Sequence, residues 1–360
     1  MINRDLFLLY LDSVNIPYRS MLFLSENFNL FENGNLLKSN EEDIKVNVGE
    51  ECFSLVKSAI LSKRYEKSGE NLKKFNIKPI FYYNNDYPET LTNLTNKPLI
   101  IYYKGNKELL YEKSIAIVGT RRPTIYGREV TKYFSRALAE AGLVTVSGLA
   151  YGLDMEVAEN TLSVKGKTIA VLGGGLDKIY PAQNTMLAKK IVDNDGLLIS
   201  LYPPLRAPTK YSFLERNRII SALSLGTIII EAGESSGTLN TANHTIELGK
   251  ELFVVPANIF SISSKGSNKL IEEMPDTFTI NPERVLKTLN ISSNLINKEE
   301  SKVQMTDDMK KIVELLYEGE KDFETLLNET KMNSKTLISL LTIMEINGLI
   351  KKLAGNFYSL

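Results

Sequence analysis

One construction recurs along this chain: a short apolar run stops abruptly in a loop rich in glycine or hydroxyls, and a helical segment follows. It occurs at Ile115 to Gly119, Leu143 to Gly148, Thr168 to Gly175, Thr227 to Gly233 and Leu252 to Pro256. Runs this short, bounded by turn residues and separated by helical patterns, read as buried parallel strands of a doubly wound α/β sheet. The loops then gather at one edge. Ligands of such sheets bind outside the carboxyl ends of the strands, where main-chain N–H groups and helix N-termini favour anions.

Composition narrows the rest. The chain has 360 residues, enough for two or three domains, and its 43 basic and 43 acidic side chains cancel. Any basic site is therefore a local patch. The single cysteine, Cys52, excludes an internal disulfide framework and a zinc pair, and reads as a buried free thiol. No run of about 18 apolar residues occurs, and the apolar stretch near the N-terminus is broken by Asp12 without a cleavage site, so a cytoplasmic protein without membrane contact is expected. Residues 1–75 read as a small helical domain and 76–290 as the α/β core, with two short strands between Ile77 and Gly105 extending the sheet at one edge. The Ser-, Asn-, Lys- and Glu-rich stretch 291–305 reads as a linker. Over 306–360, helices at Asp307–Tyr317, Asp322–Asn328 and Ser334–Asn347, followed by a hairpin turning at Ala354–Asn356, give a winged-helix pattern.

The loops carry the chemistry. Gly119-Thr120-Arg121-Arg122 puts two guanidinium forks at the end of a buried strand. Ser147-Gly148, with Gly152, permits close backbone approach, while Asp154 reads as a helix cap or a ligand contact. Gly173-Gly174-Gly175 costs so much backbone entropy that something must approach it closely. Phe213 to Leu223 reads as an amphipathic helix bearing Arg216, Asn217 and Arg218. The loop Glu231 to Thr238 presents Ser236, Gly237 and Thr238 before a helix, with Glu231 expected to orient Arg216 or Arg218. The last loop adds Lys265.

Several chemistries fail on the same residues. Gly119 is not followed by the G-x-G-x-x-G of a dinucleotide site. Gly166-Lys167-Thr168 opens a strand, with Thr161 where a P-loop needs its first glycine. The lone His244 lies mid-helix without a histidine partner, and no G-x-S-x-G elbow supports a triad. No cofactor, metal or catalytic residue is expected.

Gly119-Thr120-Arg121 with Tyr126-Gly127, Ser147-Gly148-Leu149-Ala150-Tyr151-Gly152-Leu153-Asp154, Gly175-Leu176-Asp177 with Tyr180-Pro181 and Asn184, Arg216-Asn217-Arg218-Ile219-Ile220, Glu231-Ala232 with Ser236-Gly237-Thr238, and Val255-Pro256 with Gly266-Ser267-Asn268 together resemble the DNA-processing protein A (DprA, or Smf) family. The resemblance covers roughly residues 80 to 285. It implies an extended Rossmann-like core that binds single-stranded DNA as a homodimer and loads RecA recombinase in natural transformation, without catalysis. Arg121 would then hold a phosphate, the Ser147-Gly148 and Gly175 loops would line the pocket, Arg216 and Arg218 would support it, and Tyr180 would stack on a base. The chain departs from the family pattern at Tyr151, Glu159 and Ala257, where Arg, His and Gly are usual, and it lacks recognisable hairpin glycines over residues 12 to 30. Residues 301 to 360 carry eight Lys against nine Asp and Glu, so packing or protein contact is expected of the C-terminal segment rather than DNA binding.

The rival reading is a nucleotide-processing enzyme of the phosphoribohydrolase type, which shares a G-G-x-G-T-x-x-E loop. The corresponding stretch ends at Thr241, where the catalytic glutamate would stand. A transcription regulator would need a basic recognition helix, which Ser334 to Asn347 does not supply.

Overall fold

A computed structural model describes residues 3–28, 41–292, 305–346, 349–353 and 355–360. Residues 1–293 form one compact unit and 294–360 a second. The expected linker lies, from 293 to 304, outside the described residues, as do Asn347 and Ala354.

The first unit opens with helices α1 (Arg4–Ser13), α2 (Tyr18–Glu26), α3 (Glu41–Val48), α4 (Glu50–Ser62) and α5 (Tyr65–Lys74). Strand β1 (Lys78–Phe81), helix α6 (Glu89–Thr92) and strand β2 (Ile100–Gly105) follow. The alternating region comprises β3 (Ser114–Val118), α7 (Ile125–Glu140), β4 (Val144–Ser147), α8 (Leu153–Ser163), β5 (Thr168–Leu172), α9 (Thr185–Asp193), β6 (Leu197–Ser200), α10 (Lys210–Leu223), β7 (Gly226–Ile229), α11 (Gly237–Glu247) and β8 (Glu251–Val254), and then α12 (Lys265–Glu273) and α13 (Pro282–Thr288). The eight strands lie in the order β1-β2-β6-β5-β4-β3-β7-β8. The β1–β2 and β2–β6 pairs are antiparallel and the rest parallel. This is an extended Rossmann-like α/β sheet. Its central strands β3 and β5 are buried throughout, as strands covered on both faces are, and are apolar apart from Ser114 and Thr168.

Two cores flank the sheet. On one face Phe7, Leu11, Leu24 and Phe53 pack with Tyr102, Ala170 and Leu198. Helices α1 to α5 therefore share one core with this face of the sheet. On the other face Ile219, Ile220 and Ala242, from α10 and α11, pack with Val118, Val146, Val171 and Ile229. Strand β6 was not among the five recurring runs, because Leu197–Ser200 leads into a proline-bearing loop, Leu201–Thr209, instead of a glycine turn. Helix α10 begins earlier than its apolar period suggests: Thr209 and Ser212 form a reciprocal capping box at its start. At its other end the Lys250 ammonium donates to the carbonyls of Ala222 (2.5 Å) and Ser224 (2.6 Å), which suits the negative end of a helix.

The second unit contains α14 (Asp307–Tyr317), β9 (Lys321–Asp322), α15 (Phe323–Thr330), α16 (Ser334–Ile346), β10 (Lys351–Lys352) and β11 (Phe357–Ser359), with its strands in the order β10-β11-β9. Its described residues form three helices, with β11 paired antiparallel to both β10 and the short β9. Among the described residues no helix is long and apolar enough to cross a membrane, and no group of three or more His, Cys, Asp or Glu is placed to hold a metal ion.

Candidate nucleic-acid interface

The loops at the carboxyl ends of the parallel strands enclose a cleft of about 900 Å³. The turn after β3 forms one wall, with Gly119, Thr120, Arg121 and Arg122 lining it. Both arginines are exposed. This turn is held from below. The Glu231 carboxylate accepts from the Thr124 amide (3.0 Å) and hydroxyl (2.5 Å), and Thr124 in turn caps α7 through the Gly127 amide. Glu231 thus fixes the arginine turn, and the expectation that it orients Arg216 or Arg218 is corrected. Its carboxylate is buried beneath that turn, where the Thr124 donors satisfy it.

The opposite wall is aromatic. Phe213, in the first turns of α10, has the Arg121 guanidinium 5.3 Å from its ring centroid and Tyr180 at 5.7 Å. Lys210, Thr209 and Pro208 extend this wall. None of these four α10-side residues was singled out from sequence. From sequence, Phe213 stands only as the first residue of a helix and Lys210 has no role; an aromatic three positions before Arg216 at a helix start is the available signal.

Arg216 has a different place from Arg121. It is 3 % exposed and donates to the carbonyls of Gly148 (2.6 Å) and Val171, joining α10 to the ends of β4 and β5. Asp154, also buried, accepts from the Gly148 amide at 3.2 Å. Burial raises the Asp154 carboxyl, against the pull of the Arg216 charge and the Gly119, Gly148 and Ala150 amides. Burial likewise lowers Arg216 to about 10; Asp154 opposes that shift and Arg121 adds to it. Arg216 is still protonated near neutrality. Arg216 is thus set against Asp154 and the strand-end carbonyls. A Cβ at Gly148 would lie 2.1 Å from the Arg216 guanidinium, which is why glycine is required there. At Gly152 both the left-handed backbone (φ +79°) and a 2.5 Å approach to the Thr120 carbonyl demand glycine, bringing the turns after β4 and β3 together.

The third side is neutral and polar. Ser236 caps α11 through the Thr238 amide (3.2 Å), and Ser236, Gly237 and Thr238 line the cleft together with Asn217, whose side chain donates to the Gly237 carbonyl (3.1 Å). Asn240 and Thr241 continue this surface. Exposed Glu234 is not among the lining residues.

The remaining expected residues lie behind or away from the cleft. Ser147 is buried at the end of β4. Asn184 is buried and donates to the Leu149 carbonyl (2.9 Å), holding the turn after β4. The close approach that the triple glycine was expected to admit is made by the protein itself: a Cβ at Gly173 would meet the Phe213 ring at 2.8 Å, at Gly174 Pro208 at 3.0 Å, and at Gly175 the Pro203 carbonyl at 2.7 Å. Arg218 points elsewhere, donating to the carbonyls of Thr95 and Asn96 at 2.9 Å. Its position two residues after Arg216 turns it to another helix face. Gly266, Ser267 and Asn268 tie loops together: the Ser267 amide donates to the Ala232 carbonyl (2.9 Å), and Asn268 brackets Ala257. Lys265 is exposed at the start of α12 and does not line the cleft.

Comparison with known proteins adds a lineage to this geometry. The chain is 40% identical over 188 residues to the DNA processing protein DprA of Bacillus subtilis, a stretch that is 52% of this chain and 63% of that protein. With Protein Smf of Escherichia coli the figures are 37% over 203 residues, 56% of this chain and 54% of that protein. The chain thus spans between half and two thirds of these curated relatives. The X-ray structure of DNA processing protein A from Streptococcus pneumoniae superposes with a TM-score of 0.66 at 30% identity, covering 80% of this chain and 98% of that one. The Helicobacter pylori protein, whose structure was described for its single-stranded DNA binding mode, gives 0.55 at 35% identity, covering 60% and 96%. The sequence model of DNA recombination-mediator protein A matches residues 78–290, more than half of the chain, and this chain belongs to that family.

Proposed function

We propose that the cleft binds single-stranded DNA by its backbone and bases, and that the protein shields incoming strands and loads RecA recombinase onto them as a cytoplasmic homodimer. The observation that carries this reading is the exposed Arg121 guanidinium set 5.3 Å from the Phe213 ring inside a cleft that also presents Arg122, Lys210 and the hydroxyls of Ser236 and Thr238. A cation beside an aromatic face suits a polymer that alternates phosphates with flat bases. Arg121, Arg122 and Lys210 take phosphates, Phe213 and Tyr180 offer stacking faces, and the Ser236–Thr238 turn with Asn217 supplies neutral donors. Arg216, Asp154, Gly148, Gly152 and the Gly173–Gly175 turn hold these groups in place. The single-stranded DNA binding mode described for the Helicobacter pylori relative supports the choice of ligand, and the recombination-mediator family supports the process. Thr241, standing where a phosphoribohydrolase would carry glutamate, favours binding over hydrolysis.

A gel-shift comparison of single- and double-stranded oligonucleotides, with wild type and Arg121→Ala, tests the reading. Preferential retardation of single strands that weakens in the variant is expected. Equal retardation of both forms, or a variant that binds like wild type, contradicts it.

A further inference from the structure

The loop that follows β8 exposes three large apolar side chains within four residues: Ile259 is 72 % exposed, Phe260 87 % and Ile262 79 %. Their setting is polar and ordered. The Asn258 side chain accepts from the Phe260 amide (2.9 Å), the Ser261 amide donates back to the Asn258 carbonyl (3.0 Å), and Asn268 clamps Ala257 at the loop's start. A built turn that holds apolar groups in water calls for a ligand.

Ile262 and Ser263 line the same cleft as Arg121 and Phe213. Phe260 lies two residues before Ile262, so its Cα is within about 7 Å of that wall. We propose that Phe260 is a second base-stacking residue, extending the single-stranded DNA track out of the cleft across its lip. The proposal rests on the single-stranded DNA reading given above. Ser261, Ser263 and Lys265 interleave hydroxyls and a cation with the apolar groups, which is the composition of a single-strand platform. Three side chains of one turn are also far short of the roughly 800 Å² per partner that a stable self-interface buries.

The chain contains no tryptophan, so Phe260→Trp places a unique reporter in this turn. Fluorescence quenching is expected on adding oligothymidylate, but not on adding an abasic oligonucleotide of equal length. Phe260→Ala is expected to bind the base-bearing oligomer roughly 5- to 10-fold more weakly and the abasic one unchanged. Gel-shift binding retained by Phe260→Trp without quenching overturns this inference and leaves the single-stranded DNA reading intact. Equal quenching by the abasic oligomer overturns it too. Fluorescence that follows protein concentration without DNA assigns the turn to a second copy of the chain instead. Loss of all oligonucleotide binding in wild type removes both readings.

Discussion

Arg121 and Arg216 flank the same ring, at 5.3 and 5.9 Å from the Phe213 centroid, yet the two regions that carry them use charge in opposite ways. In the turn after β3 the guanidinium is exposed, and the neighbouring carboxylate, Glu231, is buried and satisfied by Thr124. Its charge faces the cleft. In α10 the guanidinium is buried, opposed by Asp154 and committed to backbone carbonyls. A buried charge whose partner is removed costs far more than an exposed one. The comparison therefore separates residues committed to holding the loops from residues left free to face the cleft.

The largest effect is expected for Arg216→Ala. It leaves Asp154 buried without its counter-charge and two carbonyls without a donor, and should destabilise the fold by about 3–5 kcal/mol in thermal or denaturant unfolding. An unchanged melting temperature breaks the comparison. Arg121→Ala should leave stability within about 0.5 kcal/mol of wild type while costing about 1.5–3 kcal/mol in single-stranded DNA affinity, read by titration. A loss of stability there would place Arg121 among the holding residues. Gly148→Ala drives a methyl into the Arg216 guanidinium and should cost about 1–3 kcal/mol of stability, again by unfolding.

An effect that appears only as pH dependence is expected at Asp12, where the helical segment meets the sheet. The Tyr102 hydroxyl donates to this carboxylate at 2.6 Å. Burial raises Asp12 from 3.8 to about 7, against the Tyr102 hydrogen bond and the Arg206 charge. A carboxyl raised in the folded state contributes stability that is complete below about pH 4 and is lost as pH rises through about 7. Asp12→Asn should flatten the dependence of melting temperature on pH across that interval. Parallel curves for variant and wild type contradict the assignment.

Most of the parallel strands were legible because they are short, largely apolar runs ended by turn residues. The arginine turn and the Ser236–Thr238 turn were legible because cations and hydroxyls at strand ends have few structural uses. Burial of charge was not legible. Arg216 and Arg218 sit two apart on one helix and look alike in sequence, yet one joins two strand ends and the other caps a distant loop. The triple glycine signalled a close approach but not its author, which is the chain's own 203–208 loop and Phe213. That loop was obscured because the strand before it, β6, lacks the recurring glycine ending. Phe213 and Lys210 were missed for the related reason that the start of α10 is fixed by a Thr209–Ser212 capping box, not by apolar period.

The most direct test of the cleft as a backbone-binding site is the salt dependence of single-stranded DNA affinity. With Arg121, Arg122 and Lys210 each neutralising one phosphate, a plot of log affinity against log salt should fall with a slope of about −2, and Arg121→Ala should make it shallower by about 0.7. A flat plot, or the same slope in the variant, contradicts the account.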